Sequence, residues 1–128
     1  MPSNKKLGND FEQEVCKKLA DRGFWVHNFA NRANGQPADM IAVKNGLAYL
    51  IDAKVVSGKR FQVSRIEENQ VLAMKKWFND TGLPAGFCFK LSDGTAVLVM
   101  LPDEWYLDKL LQFSSITEDE IREMGEQL

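Results

Sequence analysis

The chain has 128 residues, 45% of them hydrophobic and 27% charged, enough for one globular domain with a core of its own. No run is long and apolar enough to span a bilayer, and Lys5 and Lys6 are not followed by the apolar core of a signal peptide, so neither a membrane protein nor a secreted one is expected. The formal net charge of −2 argues against a uniformly basic nucleic-acid binder, although the distribution matters more than the sum. Glu118, Asp119, Glu120, Glu123 and Glu126 crowd the last stretch against one arginine, Arg122, and what precedes them is mildly basic. Lys54, Lys59, Arg60 and Arg65 gather in one short stretch, as a phosphate-facing edge requires. Cys16 and Cys88 have no CxxC partner and no metal-ligand spacing, so they read as reduced packing residues of a cytoplasmic protein.

Leu7, Phe11, Val15 and Leu19 recur every four residues and predict an amphipathic helix over 8–22, closed by Gly23. Glu12 falls inside its apolar sector, between Leu19 and Cys16, whereas Glu14 projects away from it. A carboxylate on a core-facing stripe is costly unless it is paired or bound to metal. The alternative is a helix-edge glutamate whose stem packs while its head reaches water. A first strand is expected over 24–30. It carries the only histidine, His27, which has no Ser, Cys or metal-ligand partner and reads as a packing residue. Residues 31–37 are a loop by composition, and Arg32 there either reaches a phosphate or is simply solvated.

Next come two β-rich runs on either side of Asn45-Gly46, the signature of a two-residue type I′ hairpin. That turn sets the register. Lys44 faces Leu47, Val43 faces Ala48, and counting outward brings Asp39 opposite Asp52, with Lys54 on the same side. Like charges directly opposite one another are destabilising. Ile41, Val43, Ala48 and Leu50 share the predicted face and imply a buried setting, which raises the cost. A divalent cation removes it, and carboxylate oxygens suit Mg²⁺ or Mn²⁺. Taken alone, the stretch also fits a surface hairpin with ordinary charges.

Beyond the hairpin, Phe61-Gln62-Val63 suggests a short edge strand. Ser64-Arg65-Ile66-Glu67 reads as a capping box that starts a helix running to about Asn79, with Gln70 near its apolar stripe. Strands are expected over 85–91 and 95–101, joined at Ser92-Asp93-Gly94. Asp103 can cap a helix over 104–112, where the helical spacing of Trp105, Tyr106, Leu110 and Leu111 points to packing or an interface rather than base stacking. Thr117-Glu118-Asp119-Glu120 caps a short acidic helix. The expected fold is α/β (α+β), a mixed central sheet of about five strands flanked by helices. It forms a single domain over 1–128, with a core at about 5–101 and a C-terminal helical segment at 103–128.

Gly8-x-x-Phe11-Glu12, Gly35-Gln36-Pro37-Ala38-Asp39, Ile51-Asp52-Ala53-Lys54 and then Gln70 stand in this order on a helix, a hairpin and a second helix. This pattern resembles the PD-(D/E)xK nuclease superfamily, with its restriction-endonuclease-like core, and within it the Holliday junction resolvases. The bacterial RecU type comes first and the archaeal Hjc type second. The chain is shorter than typical RecU proteins and lacks a long stalk-like insertion, which brings its size closer to the archaeal type. The resemblance implies Asp39, Asp52 and the backbone carbonyl of Ala53 as metal ligands, with Glu12 completing the metal shell. It implies that Lys54 orients or helps deprotonate the attacking water and stabilises transition-state charge. Gln70 would position a site group or contact DNA, and Arg32, Lys59, Arg60 and Arg65 would join it in DNA binding. The activity implied is Mg²⁺- or Mn²⁺-dependent hydrolysis of a four-way DNA junction in recombination and repair. The protein would be a cytoplasmic homodimer of bacterial, archaeal or phage origin. Competing readings are a nuclease on the same fold with a restriction, flap or mismatch target, and a non-catalytic junction-binding module.

Overall fold

The computed structural model describes residues 3–29 and 38–128. Helix α1 (Asn4–Asp21) begins one turn earlier than the apolar period announces. Ser3 caps it by accepting from the Lys6 amide at 3.1 Å, and that first turn is exposed, Leu7 included, so only Phe11, Val15 and Leu19 of the apolar period are buried. Gly23 follows with φ +90°, a conformation that favours glycine, and turns the chain into strand β1 (Trp25–Asn28).

Strands β2 (Met40–Lys44) and β3 (Leu47–Val55) form the expected hairpin. Asn45 and Gly46 both have positive φ, 53° and 79°, as a type I′ turn demands. The pairing runs from Lys44↔Leu47 to Met40↔Ile51. The buried face here differs from the expectation. Met40, Ala42 and Ile51 pack against Phe11, Val15 and Leu19 of α1, while Ile41, Val43 and Ala48 on the other face are only half-buried. On that face Leu50 is buried in the second core cluster, and Asp52, two residues on, is buried as well.

After β3 come β4 (Arg60–Gln62), a 3₁₀ turn at Val63–Arg65, and helix α2 (Glu68–Thr81). The helix does not start at the Ser64 box. Its cap is Glu67, with Gln70 as the reciprocal partner, and Ile66 stays extended and buried in the core. Two overlapping sequences each fit a capping box, and burial of Ile66 selects the later one. Strand β5 (Ala85–Lys90) then pairs parallel to β3 and antiparallel to β6 (Ala96–Leu101). Phe87 and Phe89 of β5 point to the layer holding α2 and α3, and Cys88 points to the α1 layer, so both faces of β5 are covered as its continuous hydrophobicity implies.

Helix α3 (Glu104–Leu111) is capped by Asp103, and α4 (Glu118–Met124) by the Thr117–Glu120 box, both as expected. The segment read as purely helical also supplies two short strands. Strand β7 (Ser115–Thr117) pairs with β4, and β8 (Glu126–Gln127) pairs with β6. Among the described residues the main sheet therefore has six strands, ordered β1-β2-β3-β5-β6-β8, rather than about five. The architecture is mixed α+β, with α1 on one face and α2, α3 and α4 with the β4–β7 ribbon on the other.

A β-carbon added at Gly86 would meet the Val99 backbone oxygen and lie 2.9 Å from Met100 Cα, both backbone atoms that cannot step aside. Gly8, inside α1, has nothing within 4 Å. Urea unfolding of Gly86→Ala is expected to show a loss of about 3 kcal/mol, in the range of an overpacked core. Gly8→Ala should gain about 0.5–1 kcal/mol, the helix-propensity difference.

Candidate active site

The hairpin register places Asp39 one step beyond the last ladder pair, level with Asp52. Its amide donates to the Ile51 carbonyl at 3.2 Å, and its Oδ2 accepts from the Ala53 amide at 2.8 Å. Asp39 and Asp52 lie within hydrogen-bonding contact of each other, and Glu12 reaches Asp39 from α1. Asp52 is 1% exposed. Its Oδ2 accepts from Lys54 Nζ at 3.0 Å and from Gln70 Nε2 at 3.2 Å. Lys54 Nζ also donates to Gln70 Oε1 at 3.1 Å and to the Arg65 carbonyl at 3.3 Å.

Carboxyl groups this close together cannot all carry full charge without a proton or a cation between them. Burial pushes the Asp52 carboxyl up to about 7, and the neighbouring Asp39 charge adds to the rise against the opposing pull of Lys54. Burial likewise raises Asp39 to about 6, against the stabilising Ala53 amide. Glu12 is raised chiefly by burial, although its hydrogen bond with Asp39 lowers it. The donor set suits a hard divalent cation, which takes one or two carboxylates and fills its other positions with water and phosphate oxygens. Among the described residues no three His, Cys, Asp or Glu side chains form a ready-made metal cage.

The structure brings together Glu12, Asp39, Asp52, Ala53, Lys54, Arg65 and Gln70. It does not bring Lys59 or Arg60 to them. The Lys59 carbonyl accepts from the Glu118 amide at 3.3 Å, and Arg60 Nε donates to Ser115 Oγ at 3.0 Å, so both sit on the β4–β7 ribbon beside α4. Arg32 lies outside the described residues, as does 35–37 of the quoted motif. Glu14 turns away from the carboxylates to pair with Lys90 at 3.0 Å. His27 stacks on Trp25, with ring centroids 6.2 Å apart, and takes no part in the site. Sequence reasoning missed the Arg65 carbonyl, which no side-chain pattern can reveal. It also missed the Glu67 cap, which the spacing Glu67-x-x-Gln70 signals.

A helix-borne glutamate, two aspartates at the mouth of a hairpin and a lysine two residues on are consistent with a nuclease of the PD-(D/E)xK type. The family model described as archaeal Holliday junction resolvase (Hjc) matches residues 3–117. The chain belongs to that family, the second of the two resolvase types its sequence resembles, and is thereby a Holliday junction resolvase, a divalent-metal-dependent endonuclease acting on junction DNA. The fold agrees with Hjc of the archaeal hyperthermophile Archaeoglobus fulgidus, a Holliday junction resolvase solved at 1.6 Å resolution. The TM-score is 0.64 and the identity 18%, over 94% of this chain and 91% of that one. Curated proteins give no significant sequence match.

Both aspartates titrate higher in the folded chain than their ordinary value of 3.8. The folded state therefore binds more protons than the unfolded state between that value and about 7, and stability falls as pH rises through this window. Without metal, the melting temperature should drop between pH 5 and pH 8, and Mg²⁺ should restore it at the higher pH. Asp39→Asn, which can keep the bond from Ala53, should flatten the metal-free decline. A slope unchanged by that substitution would place the pH dependence elsewhere.

Proposed function

We propose that the chain resolves four-way DNA junctions by Mg²⁺- or Mn²⁺-dependent hydrolysis, as a homodimer, with the whole of 1–128 forming one nuclease domain. The observation that carries this is the contact of Asp39 and Asp52 beside Lys54. Asp39 and Asp52 hold the cation, and Glu12 completes the shell directly or through water. The Ala53 carbonyl joins them, because in a strand it leaves by the same edge as the Ala53 N–H that meets Asp39. A bound divalent ion supplies Lewis acidity at the scissile phosphate and eases ionisation of the attacking water. Lys54 orients that water and offsets negative charge developing on the phosphate oxygens. Lys59 and Arg60, both exposed, bind backbone phosphates on the flank, and Arg32 adds a further phosphate contact.

Resolution needs two symmetric cuts, and a two-fold dimer supplies two sites in the matching relation. Trp25, 63% exposed, and Trp105, 59% exposed, each provide an aromatic patch suited to the partner copy. The activity belongs in the cytoplasm, where Cys16 and Cys88 stay as thiols.

Labelled four-way junction, duplex and flap DNA of the same sequences should be incubated with Mg²⁺ and with EDTA. Paired symmetric nicks in the junction alone, and only with metal, are the expected result. Cutting of duplex or flap instead would keep the chemistry and replace the substrate. Asp52→Asn should abolish cleavage and retain junction binding, since a ligand charge is lost while the phosphate contacts remain. Glu12→Ala should be severe and Glu14→Ala mild. Lys59→Ala with Arg60→Ala should weaken binding and flatten its logarithmic salt slope by about two; an unaltered slope would put the DNA on another surface.

A further inference from the structure

An ammonium group has three hydrogens to donate, and Lys54 meets three acceptors: Asp52 Oδ2 at 3.0 Å, Gln70 Oε1 at 3.1 Å and the Arg65 carbonyl at 3.3 Å. Only the first belongs to the hairpin. The other two come from the turn before α2 and from the first turn of α2 itself. That stretch is itself fastened. Arg65 Nη1 donates to the Val55 carbonyl at 2.6 Å, one residue past Lys54, and its guanidinium lies over the Phe61 ring at 5.2 Å. The Gln70 amide is also fixed in orientation. Its Oε1 accepts from Lys54 and from the Glu67 amide at 3.1 Å, while its Nε2 donates to Asp52. Flipping it would turn NH₂ toward two donors and the carbonyl toward a carboxylate, losing every bond.

The geometry points to the Arg65–Gln70 stretch as a positioning device for Lys54, with Arg65 and Gln70 acting through the lysine rather than by contacting DNA. Arg65 clamps the 3₁₀ turn onto the end of β3, which delivers its carbonyl to the ammonium. Gln70 joins the lysine to the aspartate beside it, so the capping box of α2 holds the two at a fixed separation. This rests on the role given to Lys54 above, and it removes two residues from the DNA contacts that the sequence suggests.

Arg65→Ala and Gln70→Ala should be compared with the unaltered chain in two assays. The first is the single-turnover cleavage rate at saturating protein with Mg²⁺. The second is junction affinity in EDTA across a range of salt. Positioning predicts a rate about 10–100-fold lower, the cost of a displaced reacting group, with affinity within about twofold and an unchanged salt slope. A phosphate contact by Arg65 predicts weaker binding, a slope shallower by about one and a normal rate at saturation, and that result overturns the proposal. Should Arg65→Ala unfold, Arg65→Met keeps apolar packing on Phe61 without the donor and serves instead.

A third readout needs neither metal nor DNA. The Gln70 side-chain ¹⁵N amide should be motionally restrained in the unaltered chain and freed in Lys54→Met. A Gln70 amide that is already mobile in the unaltered chain overturns the proposal. Failure of the unaltered chain to cut any junction would instead overturn the functional reading, while leaving the amide measurement to judge the positioning.

Discussion

Two carboxylates in contact, one of them almost wholly withdrawn from water, form an arrangement that a folding chain would avoid if stability were its only constraint. Here the rest of the fold enforces it. The type I′ turn at Asn45-Gly46 admits one register, and a slip by a single residue would send Met40, Ala42 and Ile51 away from α1. The apolar pairing that protects the sheet thus carries Asp39 to Asp52. The Ala53 amide then draws the Asp39 carboxylate inward, and Lys54 with Gln70 holds Oδ2 of Asp52. These contacts soften the repulsion without removing it, since both aspartates still sit above their ordinary range. The proposed cation site rests on that residual tension.

Strand β3 is the member of the sheet on which this depends. It pairs antiparallel with β2 and parallel with β5, and the parallel pairing requires a crossover. That crossover contains α2, so the same connection that completes the sheet brings the N-terminus of a helix to the C-terminal end of β3. Glu12 arrives from the other layer, on a helix whose apolar side is held by Phe11, Val15 and Leu19. Three elements distant in sequence therefore meet at one end of one strand, each placed by packing rather than by the site itself.

How much of this is legible in the sequence follows from the kind of signal each part leaves. The Asn45-Gly46 turn fixes positions by counting, so the residue numbers alone bring Asp39 opposite Asp52. Glu12 and Glu14 are separated by helical phase alone, and the structure keeps them apart as that phase requires. The start of α2 is less legible, because Ser64 and Glu67 both open acceptable boxes and the choice depends on burial of Ile66. Strand β8 is two residues, Glu126 and Gln127, with little strand propensity. It exists through pairing with β6 and through Leu128, whose amide bonds the Ala96 carbonyl at 2.9 Å while its side chain packs on the α1 cluster. Tertiary partners of that sort leave no local pattern to read.

The acidic C-terminus shows why net charge is a poor guide to where nucleic acid binds. Glu118 is buried, with its carboxylate on the Ser92 amide and hydroxyl, so it anchors the turn between β5 and β6. Glu120 closes the cap of α4 and lies in the field of Arg60, while Asp119 and Asp93 share Arg122. Glu118 and the Arg122–Asp93 pair therefore join α4 to the turn between β5 and β6, while Asp119 and Glu120 serve α4 itself. Lys54 and Arg65 stand apart from it, around the carboxylate pair. A polyanion responds to charges within about 10 Å at ordinary salt, so a local balance, and not the sum over the chain, governs where it is received.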